Sequence, residues 1–304
     1  MITSKEQLFP LEIGTYGLGA TREEIRQDVV TSSTPQTHDV EALRFAFESG
    51  MNYIETSYIY AGGQTMRFLA DFFKQIPREK IFITVKIEKF VEKPSDIETQ
   101  FDKYLSMLGI DHADAILLHS PSVSKIPLEE AYGELNKQVA KGKARFLSAS
   151  NVSIDDLKLL TETCGYKLFG IEELFNLECK INEDVGIIQY CKDHNIAFAC
   201  YQPLRRNRTA NRNYPVLVEL SKKYGKTQNQ VLLNWIINEK GLMPMVKTSN
   251  MIHTKENLEA LTFKVEPEDM KRLNEFRSAE FDSIKVDWKD EGGISIYKLA
   301  NQFP

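Results

Sequence analysis

Along this chain, short runs of β-branched and aromatic residues alternate with longer stretches whose apolar residues return every three or four positions. The short runs fall at Leu11–Gly17, Asn52–Glu55, Ile81–Ile87, Asp114–His119, Ala144–Ala149, Leu168–Glu173, Ala197–Gln202 and Met243–Thr248, and each is read as a strand. Between them, Ile97, Phe101, Tyr104, Leu105 and Leu108 form one helical face, and Leu128, Ala131, Tyr132, Leu135 and Val139 another. Pro94-Ser95-Asp96 predicts a helix start in which the Ser95 hydroxyl is the cap. Strands that are apolar throughout are expected where both faces of a parallel sheet are covered. Eight strand–helix alternations with no intervening linker predict one (β/α)8 TIM barrel, with a doubly wound open sheet as the competing layout. The expected organisation is a single domain over 1–304, its barrel spanning about 11–276 and a C-terminal tail 277–304. The last helix is expected at Pro267–Glu275, and the tail after it is expected either to dock over the active-site face or to remain a mobile end.

Composition removes several function classes. A net charge of −5 gives no general drive towards nucleic acid or an anionic membrane surface. No run approaches the roughly 18 apolar residues of a membrane span, and the start Met-Ile-Thr-Ser-Lys-Glu-Gln lacks the apolar core of a signal peptide. A cytoplasmic protein is expected. Cys164, Cys179, Cys191 and Cys200 have no Cys-x-x-Cys spacing, so they read as reduced thiols and no metal site is expected. Nothing in the sequence sets the oligomeric state.

The chemistry gathers at strand ends. Glu55 with Tyr60, then Lys86, then His119 stand at or just beyond the ends of three successive strands. The C-terminal ends of barrel strands are where this fold keeps its reactive groups. Any one of these residues alone would read as a structural group.

In this order they carry a resemblance. Ile54-Glu55-Thr56-Ser57-Tyr58-Ile59-Tyr60, Phe82-Ile83-Thr84-Val85-Lys86 and Asp114-Ala115-Ile116-Leu117-Leu118-His119-Ser120-Pro121 are similar to the Asp/Tyr, Lys and His blocks of the aldo-keto reductases. The resemblance runs from about Leu11 to Phe276. It implies an NADP-dependent oxidoreductase, NAD being possible, that reduces an aldehyde, ketone or sugar-like carbonyl with Tyr60 as proton donor. By the same resemblance Lys86 lowers the Tyr60 pKa, Glu55 orients Lys86, and His119 directs the carbonyl oxygen. The cofactor residues it implies are Thr15 and Tyr16 in Gly14-Thr15-Tyr16-Gly17, Ser150 and Asn151, Glu172, Tyr201, and Lys247, Thr248, His253, Glu256 and Asn257.

Three positions depart from the family pattern. Glu55 stands for its aspartate, Glu172 for a glutamine at the carboxamide, and His253 for an arginine at the 2′-phosphate. Arg205, Arg206, Arg208 and Arg212 form a basic loop, read either as solvated or as a clamp on the cofactor's phosphates. Two further readings are a nicotinamide-binding regulatory subunit with little turnover, and a redox-neutral epimerase or lyase that uses bound nicotinamide.

Overall fold

Eight strands pair in sequence order and close into a barrel. They are β1 (Glu12–Ile13), β2 (Tyr53–Ser57), β3 (Phe82–Ile87), β4 (Ala113–Leu118), β5 (Ala144–Ser150), β6 (Leu168–Leu174), β7 (Ala197–Tyr201) and β8 (Met243–Val246). The computed structural model describes residues 2–19, 37–88, 91–121, 124–286, 288, 296 and 299. All the pairings are parallel, and β1 pairs with both β2 and β8, which makes this the closed (β/α)8 barrel and excludes the open sheet.

The apolar runs mark every strand, with shifts at the ends. The largest shift is at β1. Gly14 N still donates to Val246 O at 2.9 Å, but Thr15 N turns to the Glu55 side chain, so the chain leaves the sheet well before Gly17. The helix expected after Pro94 runs Ser95–Leu108, with Ser95 as its first helical residue rather than its cap. The cap hydroxyl is not needed for the first-turn donors Asp96 N and Ile97 N, which reach Lys93 O at 3.0 Å and Pro94 O at 3.1 Å. The helix Pro267–Glu275 has its expected bounds.

Why polar residues end up inside this barrel follows from where the helices lie. Helices cover the outer face, so Leu11, Ile13, Ile54, Ile83, Val85 and Ile116 join the large core between strands and helices. Residues of the opposite parity fill the interior. Near the strand starts that filling is apolar: Tyr53, Phe82, Ala115 and Ala199 pack with Phe146, Phe169 and Met243, and Ile2 and Leu8 close the end. One step further along the strands Thr84 Oγ1 donates to Tyr53 Oη at 3.3 Å, and there the filling becomes ionic, with Glu12, Glu55, Lys86 and Glu172 all buried.

The tail residues that are described lie against β6 and β7. Phe281, Ile296 and Leu299 form a cluster with Leu174 and Cys179, and Tyr201 and Trp288 pack on it. For these residues the docked alternative is the one observed. Among the described residues no helix is long and apolar enough to cross a membrane.

Candidate active site

Four elements bring the four strand-end residues together. After β2 the chain enters a short 3-10 turn, Tyr60–Gly63, in which Ala61 and Gly62 take left-handed backbone, with φ of 50° and 58°. This reversal is costly for alanine, and it places Tyr60 beside the mouth. Lys86 lies on β3 with its side chain inward, and His119 follows β4, its backbone N donating to Ile87 O at 2.8 Å.

The geometry is a compact ionic group. Tyr60 Oη donates to Glu55 Oε2 at 2.9 Å and accepts from Lys86 Nζ at 3.3 Å. Lys86 Nζ lies 3.0 Å from Glu55 Oε2 and 2.6 Å from Glu172 Oε2. Glu55 Oε1 accepts from Thr15 N at 2.9 Å, and Thr15 Oγ1 donates to Glu55 O at 2.7 Å. The longer Glu55 side chain therefore still reaches both Tyr60 and Lys86, held in place by the turn after β1. The rings of Tyr16 and His119 stand edge-on to the Tyr60 ring, with centroids at 5.3 and 5.9 Å.

Electrostatics here departs from what the resemblance implies. Burial and the Glu55 carboxylate raise the Tyr60 pKa well above the usual phenol value, and Lys86 opposes them without prevailing. Its charge is shared: against the burial that disfavours it, Glu172 and Glu55 hold the Lys86 ammonium firmly protonated. Burial pushes Glu172 up to about 7, with Lys86 pulling down and Glu55 pushing up. Glu12, on β1, is raised well above the carboxylate range by burial and then by Glu172 and Glu55. Among the described residues neither carboxyl oxygen of Glu12 finds a hydrogen-bond partner. Three carboxyl groups thus face one ammonium, and the shortage of positive charge is met by keeping protons.

This makes a linkage prediction. A carboxyl whose folded pKa lies above its unfolded value favours folding at acidic pH, and that contribution is lost as pH rises from the unfolded value through the folded one. Glu12→Gln should therefore gain on the natural protein as pH rises above roughly 4.3. The gain has an upper limit of about 1.4 kcal/mol per pH unit. Denaturant titrations at several pH values measure it, and a difference that does not vary with pH would refute the neutral, buried Glu12.

Above this group opens a cleft of about 1880 Å³, whose lining includes Tyr16, Glu55, Tyr60, Lys86 and His119, then Ser150, Asn151 and Tyr201, and Lys247, Thr248, His253, Glu256 and Asn257. Thr15 and Glu172 do not reach the wall; both are buried beneath it, Thr15 against Glu55 and Glu172 against Lys86. Asn151 takes left-handed backbone (φ 57°) and links the elements around it. Its Nδ2 donates to His119 O at 2.8 Å, and its Oδ1 accepts from Tyr201 Oη at 2.6 Å, which fixes the tyrosine ring against the wall.

The basic loop divides. Arg205 is buried and pairs with Glu178 Oε2 at 2.6 Å, and Arg212 lies 3.0 Å from Glu178 Oε1 and 2.7 Å from Glu280. Those two tie the loop to the barrel and the tail. Arg206 lines the cleft, its guanidinium 5.3 Å from the centre of the Tyr16 ring. Among the buried residues near this group that went unremarked in the sequence are Glu12, Ser57 and Glu88. Glu88 did carry a signal, since it lies two residues past Lys86 on the same face of the chain.

The sequence model described as "Aldo/keto reductase family" matches residues 10–278. A 9,11-endoperoxide prostaglandin H2 reductase of Trypanosoma cruzi is 28% identical over 241 residues, covering 77% of this chain and 81% of that protein. An NADPH-dependent alpha-keto amide reductase of Saccharomyces cerevisiae is 27% identical over 222 residues, covering 70% of each. Among solved structures, a thermostable aldo-keto reductase in complex with the inhibitor epalrestat has a TM-score of 0.77 and 27% identity, covering 88% of this chain and 94% of that one. An aldo-keto reductase from Klebsiella pneumoniae in complex with NADPH, 22% identical, has the same fold with a TM-score of 0.76 and covers 90% of this chain and 95% of that one.

Proposed function

The chain belongs to the aldo/keto reductase family, a family of oxidoreductases, and from that premise we propose that it reduces an aldehyde, ketone or sugar-like carbonyl with NADPH. One observation carries the reading: the Tyr60 hydroxyl stands in hydrogen-bond reach of both Glu55 and Lys86, in a cleft of about 1880 Å³. The lining suits that cofactor. Asn207, Asn211, Gln228 and Asn229 also line the cleft, where the remaining amide protons would serve phosphate oxygens, with Arg206 adding charge. Ser150 and Asn151 would hold the nicotinamide end, and Tyr201 its ring. Elsewhere in the lining, Lys247 donates to Ser249 Oγ at 2.7 Å, beside the start of the helix Met251–Glu259. That helix start favours an anion.

When bound, the reduced nicotinamide supplies the hydride. The chain's own residues manage the oxygen and the proton. His119 aims the carbonyl at the Tyr60 hydroxyl. Because Tyr60 is held fully protonated, it keeps its proton until the carbonyl oxygen becomes alkoxide-like, a far stronger base than phenolate. Lys86 then stabilises the phenolate left behind. Glu172 restrains that push by sharing the lysine's charge, and Thr15 keeps Glu55 in place. The substrate is a small molecule; a role on nucleic acid or membranes is not part of this reading.

The direct test follows NADPH absorbance against a panel of aldehydes, ketones and keto-sugars. Oxidation of NADPH matched by loss of carbonyl supports the reading. NADPH binding without turnover of any panel member would replace it with the regulatory-subunit reading, and product formed with the cofactor unchanged would replace it with the redox-neutral one.

Cofactor preference gives a further expected result. NADPH should bind more tightly than NADH, but by a reduced margin, because the exposed cleft residue His253 puts an imidazole where the family pattern has a bidentate guanidinium. His253→Arg should tighten NADPH by about tenfold, as a charge-assisted bond worth roughly 1.5 kcal/mol would. It should leave NADH nearly unchanged in a fluorescence titration. Equal tightening of both would place His253 away from the 2′-phosphate.

A further inference from the structure

A second hydrogen-bonded chain of buried side chains adjoins the group around Lys86. Ser57 Oγ, on β2, donates to Glu88 Oε1 at 2.8 Å, and the same oxygen lies 3.2 Å from His119 Nδ1. Glu88 Oε1 also accepts from Ile59 N at 3.2 Å. Glu88, Ser57 and His119 are respectively 5%, 0% and 8% exposed, so bulk water does not compete for these bonds.

The proton count decides what the chain does. A serine hydroxyl has one proton. The Ser57 proton lies towards Glu88 Oε1, which also accepts from Ile59 N and so carries no proton of its own. Ser57 Oγ can therefore meet His119 only as an acceptor, which requires the proton of His119 on Nδ1. His119 lines the cleft, and with its proton on Nδ1 the neutral ring would carry none on Nε2. A histidine held this way gives a hydrogen bond to a carbonyl oxygen only as imidazolium, and the nearby carboxylate favours that form.

We propose that Glu88, acting through Ser57, is a positioning residue that fixes His119 in its Nδ1–H form and makes the protonated imidazole the form that grips the carbonyl oxygen. Around the chain stand Tyr60 after β2, Glu55 on β2, Lys86 on β3, and Tyr104 and Gln100 from the helix Ser95–Leu108. Tyr60 meets His119 edge-on, and Lys86 places a positive charge towards Glu55 and Glu172 rather than towards Glu88. Gln100 Oε1 accepts from Glu88 N at 3.2 Å and from Tyr104 Oη at 2.9 Å, which steadies the backbone that carries Glu88. The positioning itself is a property of the folded chain; its catalytic meaning rests on the reductase reading above.

The test separates the two. In the full-length protein with ¹⁵N-labelled histidine, long-range ¹H–¹⁵N correlation spectra report the protonation of each imidazole nitrogen, and His119→Asn assigns its signals. His119 should show the Nδ1–H form when neutral. Glu88→Gln should lower the pH of its titration by about one unit or more, the effect of removing a nearby opposite charge. Ser57→Ala should abolish the Nδ1–H preference, and Ser57→Thr, which keeps the hydroxyl, should restore it. Circular dichroism and NADPH binding check that each variant is folded. For carbonyl reduction, kcat/KM should fall as pH rises through the His119 titration, and Glu88→Gln should shift that fall to lower pH. An Nε2–H signal in the natural protein, or a titration unmoved by Glu88→Gln, overturns the proposal. Intact NMR behaviour in a protein with no carbonyl turnover would leave the positioning standing and sink the reductase reading alone.

Discussion

Tyr60→Phe is expected to lower carbonyl reduction by about 10²–10⁴-fold, the usual worth of a general acid, while NADPH binding stays within a few-fold of normal. The loss is confined to chemistry because the hydroxyl is dispensable to its surroundings. Its two partners, Glu55 and Lys86, already touch each other at 3.0 Å and keep that contact when the hydroxyl is gone. The phenyl ring fills the same space beside Tyr16 and His119. Stability should fall by only about 1 kcal/mol, as for a typical hydrogen bond. Steady-state kinetics beside a fluorescence titration of NADPH separates the effects. Turnover close to normal would remove Tyr60 from the proton-donor role. Joint loss of turnover and binding would make it structural.

Lys86→Met should be more severe, because it removes a charge that three carboxyl groups surround. Activity should fall steeply, since Lys86 is the cation within hydrogen-bond reach of the Tyr60 hydroxyl. The protein should also lose about 3–5 kcal/mol, the cost of breaking a buried ion pair by removing one partner. The two losses have different remedies. Adding Glu172→Gln removes one stranded carboxyl and should recover part of the stability without recovering activity. If the double variant were as unstable as the single one, Glu172 would not be the main partner that the 2.6 Å contact indicates. If Lys86→Met kept normal turnover, its role beside Tyr60 would fall.

What could be read from the chain, and what could not, follows from the geometry of a closed barrel. Strands buried on both faces announce themselves as apolar runs, so Phe82–Ile87 and Ala113–Leu118 were visible within a residue. The group Glu55, Tyr60, Lys86 and His119 was visible because each stands at such an end. Glu12 was not, since Leu11-Glu12-Ile13 looks like a strand whose polar residue faces water. In a barrel the polar residue of that alternation faces inward, and Glu12 is fully buried. The fates of Arg205 and Arg212 were also hidden, because their partner Glu178 lies more than twenty residues away in a different loop. Sequence order carries no record of that pairing. Nor could the sequence show that Glu172 would turn to Lys86, which depends on the distance across the barrel between β3 and β6.

The seam of the barrel has a consequence for the order in which the protein is made. Ile13 on β1 pairs with Ile54 on one side and Val246 on the other. A ribosome releases the chain from its N-terminus, and segments can begin to fold as they emerge. Glu55, Tyr60, Lys86 and His119 all lie within the first 119 positions, yet β8, which carries none of them, supplies the last stave. For most of synthesis the side chains proposed for catalysis are therefore present without the closed barrel around them. The chain has these four residues early and the closed barrel that gathers them only at the end.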